Sequence, residues 1–174
     1  MQSRSYQIKK VSTDELEELR RLSVETFSDT FTEQNNEIQM KAYLEKAFNT
    51  DQLRSELSNP ESFFYFVKEE DKILGYLKLN TKTAQTDQVL DSSLEIERIY
   101  LTEEAQGKGI GKLLMDFSIA EAKRRNLLCL WLGVWEKNEK AIAFYKSYGF
   151  EVFADHPFKL GDDSQKDLLM KRFV

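Results

Sequence analysis

The sequence predicts an α/β fold in which helices pack against a mixed β-sheet. Three observations lead there. Apolar residues recur at helical spacing through the first sixty positions and give way to continuous β-rich runs beyond Pro60. Two of those runs, residues 94–101 and 128–134, bracket one amphipathic helix, which implies a parallel strand pair joined by a right-handed crossover. The strict strand-helix repeat of a doubly wound sheet is missing elsewhere, so the sheet must be mixed.

Ser12 and Glu15 have the spacing of a capping box, and Leu16, Leu19, Leu22, Val24 and Phe27 follow along one helical stripe, predicting a helix over 13–27. Met40, Tyr43, Leu44, Ala47 and Phe48 form a second stripe. A short third helix near 51–57 stops at Asn59-Pro60. Residues 63–67 and 73–79 read as an antiparallel hairpin turning through the polar stretch 68–72. After a polar loop, strand 94–101 leads through a glycine-rich turn into the helix carrying Ile110, Leu113, Leu114, Phe117, Ile119 and Ala120. Strand 128–134 is apolar enough to be covered on both faces. A helix over 139–148 ends at Gly149, where a left-handed cap is wanted, and 168–173 supply a last strand.

A chain of 174 residues suits one core, so a single domain spanning 1–174 is expected. Hydrophobic residues make up 41% and charged residues 32%, and no apolar run is long enough to span a bilayer. The first ten residues lack the apolar stretch of a signal peptide, and the single cysteine, Cys129, leaves no internal disulfide; both agree with a cytoplasmic location. A net charge of −5 argues against a nucleic-acid partner, which needs clustered cations. The charge is also uneven: residues 12–61 hold 12 acids and 5 bases, whereas 104–149 hold 5 acids and 8 bases. The first region suits a cation and the second an anion, although each charge taken singly is commonly a solvated helix face.

The segment Gln106-Gly107-Lys108-Gly109-Ile110-Gly111-Lys112 joins a strand to a helix start. Glycines there let an anion approach unsatisfied N–H groups at the positive end of the helix dipole, with Lys108 and Lys112 adding charge and Gln106 a donor. Tight packing explains such a turn equally well. Neither the Walker pattern nor the dinucleotide fingerprint fits this spacing.

What remains, Q-x-x-G-x-G from Gln106 to Gly111, resembles the pyrophosphate-binding motif of the GCN5-related N-acetyltransferases. Their second signature follows in Asn138, Ala141, Phe144, Tyr145, Gly149 and Phe150. Stretches 25–31, 40–44, 94–100 and 131–138 further resemble the PaiA-type polyamine acetyltransferases. The resemblance implies a mostly antiparallel sheet of six or seven strands, helices on both faces, and a splayed central parallel pair. It implies acetyl-CoA as acyl donor, no metal, and a small cationic amine such as spermidine or spermine as acceptor. Backbone groups of Ile99, Tyr100 and Leu101 would hold the pantetheine arm and polarise the thioester. Asn138 would bond that arm, with helix capping as the alternative, and Lys146 would meet a phosphate. Tyr145 would serve the leaving thiolate, its alternative being a packing aromatic.

An amine of pKa about 10.4 is neutral roughly once in 2,500 molecules at pH 7, a cost of about 4.6 kcal/mol, so a base is expected. Glu95 and Glu97 share one strand face by alternation, and Glu97 is preferred; either could instead be a salt-bridged strand residue. Glu25, Asp29, Glu33 and Glu37 are candidates for a cationic slot or for plain surface charge. Cys129 is read as core, His156 as a lone loop histidine, and Trp131 as packing. A peptide acceptor and a silent coenzyme-binding module remain alternatives, and homo-oligomer formation is left open.

Overall fold

The computed structural model describes residues 5–160 and 163–174. Strand β1 (Tyr6–Lys10) precedes helices α1 (Leu16–Phe31), α2 (Glu37–Ala47) and α3 (Thr50–Ser58). Then come the hairpin β2 (Ser62–Glu69) and β3 (Lys72–Asn80), strand β4 (Ser93–Leu101), helix α4 (Ile110–Arg124), strand β5 (Cys129–Trp135), helix α5 (Glu139–Ser147), and a second hairpin, β6 (Glu151–Leu160) with β7 (Asp163–Phe173). Among the described residues these form one seven-stranded sheet in the order β1-β2-β3-β4-β5-β7-β6, antiparallel except at β4–β5.

Helices lie on both faces. Leu94, Ile96, Leu130 and Leu132 point to the side of α4 and α5, joining Ile110, Leu114, Met115 and Tyr145 in one core. The other face receives Leu19, Leu22 and Phe27 of α1, Met40 of α2 and Leu53 of α3 against Phe64, Phe66 and Tyr76. The helix starts are written locally. Ser12 donates its backbone N–H to Glu15 Oε2 at 2.9 Å, Asn36 accepts from Ile38 N–H at 2.9 Å, and Asn49 accepts from Gln52 N–H at 2.8 Å.

Several elements differ from the sequence expectation, among them the last strand, which begins at Asp163 rather than 168. Helix α1 runs on to Phe31, and the first hairpin turns over only Glu70 and Asp71. Strands β1 and β6 were not anticipated, and His156 lies within β6 rather than in a loop. Both are outer strands of the sheet with mostly exposed residues, and β6 contains Pro157, which an edge strand tolerates because one row of its N–H groups has no ladder partner.

A buried ion-pair network fastens α3 to the sheet. Glu56 of α3 accepts from Lys78 Nζ of β3 at 3.0 Å and from Arg98 Nη1 of β4 at 2.9 Å. Burial alone would raise the Glu56 pKa, but Arg98 and then Lys78 outweigh it and hold the carboxyl below its usual range. The stability it contributes is therefore complete above the unfolded carboxylate pKa of about 4.3 and lost as pH falls through the lower folded value. Glu56→Gln should cost about 2 kcal/mol at pH 7, less than complete loss of a buried pair because Glu97 still faces both cations. Urea melts of the two proteins should begin to converge only below the ordinary carboxylate pKa of about 4.3 and meet once pH passes the lower folded value.

Candidate active site

The centre of the sheet is forked. Strands β4 and β5 pair only at Ser93–Cys129, Leu94–Leu130 and Glu95–Trp131. Past that point β4 stays with β3 as far as the Gly75–Leu101 pair, while β5 stays with β7 as far as Trp135–Asp167. Ile99, Tyr100 and Leu101 thus line one arm of an open wedge, with backbone groups facing a gap instead of a neighbouring strand. Pairing of β3 skips Glu97, since Lys78 lies opposite Arg98 and Leu79 opposite Ile96. This bulge resets the alternation, so that Arg98 reaches Glu56 and Tyr100 reaches Phe27 on the α1–α3 face, where Glu95 and Glu97 also lie. Alternation in the sequence carries no sign of it.

Beyond the wide end of the wedge stands the start of α4. Gly107 and Gly109 have φ of 73° and 79°, a conformation disfavoured for residues with a Cβ. A Cβ on either would meet nothing within 4 Å, so these glycines do not serve tight packing. A Cβ on Gly111 would sit 3.7 Å from Phe144 of α5, an ordinary contact distance. No side chain caps this helix, and its first main-chain bond runs from Leu113 N–H to Gly109 C=O at 3.2 Å. The N–H groups of Ile110, Gly111 and Lys112 therefore begin a helix without intrahelical partners. Gln106, Lys108 and Lys112 are exposed around them. Bare amides, an open approach and nearby lysines fit a diphosphate, and the wedge leading away from them fits an extended arm.

Tyr145 sits on α5 with its ring 5.6 Å from that of Phe144 and 6.0 Å from that of Phe150. Burial pushes its phenol up to about 12, so it stays protonated and able to donate at neutral pH. Tyr100, on the β4 arm, feels it electrostatically. Asn138 caps α5 by accepting from Ala141 N–H at 3.2 Å, and Lys146 is exposed one residue past Tyr145.

The two strand glutamates differ in their partners. Both accept from Asn80 Nδ2, Glu95 at 2.9 Å and Glu97 at 2.7 Å. Glu97 is also ion-paired with Lys78 and, at 3.4 Å, with Arg98. Glu95 is 3% exposed and takes its other bonds from the neutral Thr86, through the backbone N–H at 2.9 Å and the hydroxyl. Burial pushes its pKa up.

Aromatic side chains of α1 cross the fork on this face. Phe27 approaches Tyr100 of one arm with ring centroids 6.5 Å apart, and Phe31 approaches Trp135 of the other at 5.8 Å. An open groove of about 560 Å³ lies beside them, lined by Tyr43, Lys46, Glu56, Arg98 and Lys159 among others. The acidic residues singled out for a cationic slot do not line it: Glu25 pairs with Arg21 at 3.1 Å, and Asp29, Glu33 and Glu37 are exposed. Trp131 is buried and donates to Gln85 Oε1 at 2.6 Å. Cys129 is buried, which raises its thiol pKa. Among the described residues no His, Cys, Asp or Glu group could hold a metal ion, and no helix is long and apolar enough to cross a membrane.

Comparison with known proteins agrees with this geometry. Residues 16–150 match the model of the Acetyltransferase (GNAT) family. An uncharacterized N-acetyltransferase of Lactobacillus delbrueckii subsp. lactis is 46% identical over 165 residues, covering 95% of each chain. The spermidine N(1)-acetyltransferase of Thermoplasma acidophilum is 24% identical over 152 residues, covering 85% of this chain and 89% of the other. Among solved structures, the PaiA N-acetyltransferase of T. acidophilum in complex with coenzyme A superposes with a TM-score of 0.78 at 24% identity, covering 98% of this chain and 99% of that one. With the forked sheet, the bare helix start and a family match over most of its length, the chain belongs to the acetyltransferase (GNAT) family and is an N-acetyltransferase that draws on acetyl-CoA.

Proposed function

We propose that the protein acetylates a primary amine of a polyamine such as spermidine or spermine, by direct attack of the amine on acetyl-CoA within a ternary complex. The observation that carries the reading is the wedge between β4 and β5 running toward the uncapped start of α4. The α4 amides, with Gln106, Lys108 and Lys112, hold the diphosphate. Ile99, Tyr100 and Leu101 hold the pantetheine arm, assisted by Asn138, and Lys146 meets a coenzyme phosphate. Backbone N–H groups of the β4 arm polarise the thioester carbonyl, as an oxyanion hole does.

Glu95, rather than Glu97, suits the role of base. A carboxylate whose pKa burial has raised accepts a proton more readily, while both Glu97 oxygens lie in ion pairs. Glu95 takes the amine proton directly or through water. Tyr145 faces a thiolate whose conjugate acid has a pKa of about 8.5, so full transfer from a phenol near 12 is uphill by roughly 5 kcal/mol. Its contribution is a hydrogen bond to the departing sulfur.

A polyamine acceptor is supported by the acid excess in residues 12–61 and by the Thermoplasma relative named for spermidine. One observation favours a second reading: the groove beside α2 is open and carries Lys46 and Lys159, which would suit an acidic peptide. A relative from Salmonella typhimurium, 37% identical over 38% of this chain, is a ribosomal protein bS18-alanine N-acetyltransferase. Thiol release from acetyl-CoA with spermidine, spermine, putrescine, lysine and an alanine-terminated peptide separates the two. Polyamines should give kcat/KM at least about tenfold above the peptide, a difference of about 1.4 kcal/mol. Peptide preference would replace the polyamine reading, and absence of turnover with every amine would leave a coenzyme-binding module.

A further inference from the structure

In β5 every residue is buried except Gly133, which is exposed in the middle of the strand. The opening lies on the α1–α3 face, because Leu132 and Val134 point into the α4–α5 core. A Cβ on Gly133 would stand 3.6 Å from Asp167 Oδ2 and 3.6 Å from Leu169 Cδ2 of β7. Glycine here leaves a window in the sheet face with a carboxylate at its rim.

Asp167 is half-buried, and among the described residues no hydrogen bond or ion pair engages its carboxylate. Burial raises its pKa, and His156, its partner across β6–β7, offsets part of that rise. From the other side, Tyr43 of α2 senses its negative charge. Two residues along the same face of β7, Gln165 Oε1 is buried without a partner, although its Nε2 donates to Asn35 Oδ1 at 2.7 Å. Two oxygen acceptors on one strand face thus lack donors, and an unsatisfied buried acceptor calls for one. An ammonium offers three donors and no acceptor.

Position along the sheet identifies which nitrogen would sit there. The Asp167 carboxylate oxygen lies beside Gly133, two residues beyond Trp131, the partner of Glu95. Two strand residues span about 7 Å. A single amine at the fork cannot reach so far, whereas the remote nitrogen of an extended polyamine can.

We propose that Asp167, with Gln165, is a specificity site that binds a cationic nitrogen of the acceptor remote from the one acetylated, entered over Gly133. The inference rests on the polyamine reading. It is tested with full-length protein by steady-state kinetics on spermidine and butylamine, and by calorimetric titration of spermidine into the CoA-saturated protein. Asp167→Asn should lower the spermidine-to-butylamine ratio of kcat/KM by about tenfold or more, mainly through KM for spermidine, and weaken spermidine binding to match. Gly133→Ala, whose new methyl meets Asp167 at ordinary contact distance and leaves the fold intact, should lower the same ratio. An unchanged ratio and affinity in both variants, with spermidine still turned over, would overturn this site alone. A wild-type protein that acetylates the peptide but not spermidine would overturn the polyamine reading and this site with it.

Discussion

Replacing Tyr145 with phenylalanine should lower kcat by about a hundredfold while leaving CoA affinity within about twofold of wild type. The ring is wedged between Phe144 and Phe150, and phenylalanine keeps that packing, so the variant removes one hydroxyl and little else. A hydroxyl that aids only the departing sulfur acts in the transition state, and its loss falls on kcat and kcat/KM alike. The pH profile sharpens the expectation. With its phenol near 12, Tyr145 stays protonated through the assay range and contributes no limb of its own. Glu95 must be deprotonated to accept, and its pKa is raised, so activity should fall on the acid side at a pH above the ordinary carboxylate range. Unchanged turnover in the phenylalanine variant would reduce Tyr145 to a packing residue.

Substituting valine for Gly109 should weaken CoA binding by about a hundredfold or more. At φ 79° a side chain forces an unfavourable left-handed backbone costing about 1–2 kcal/mol, and a branched one also stands at the mouth of the α4 amides. Because a Cβ meets no neighbour there, the loss comes from conformation and from blocked approach rather than from a clash in the core. Lys108→Ala is the informative contrast. An exposed lysine contributes a screened point charge, so about a threefold loss that shrinks further in added salt is expected. Calorimetry on both variants separates a grip made by backbone from one made by side chains. Equal losses would assign the grip to the lysines.

Much of this architecture is legible in local pattern. The capping box at Ser12 and Glu15 and the strand-glycine-helix order around Gly109 are read within a few residues, and the structure has both. The parallel pair follows from two strands bracketing α4, and its splaying followed from the family motif rather than from any periodicity. Long-range relations stayed hidden. The bulge at Glu97 depends on register with β3, and the contrast between Glu95 and Glu97 depends on Asn80, Thr86 and Lys78, brought in from other segments. Strands β1 and β6 escaped because outer strands need little apolar alternation. The acidic run from Glu25 to Glu37 stands out by number, while Asp167, singly placed on β7, is a half-buried carboxylate with no hydrogen-bond or ion-pair partner among the described residues.

The central claim is that uncovered main-chain amides and a parted strand pair, more than any side chain, hold the coenzyme. Backbone amide chemical shifts followed during titration with coenzyme A test it most directly. The account predicts the largest changes at residues 107–112 and 99–101, in one saturable process. Changes concentrated elsewhere, with these amides unmoved at saturation, would contradict it.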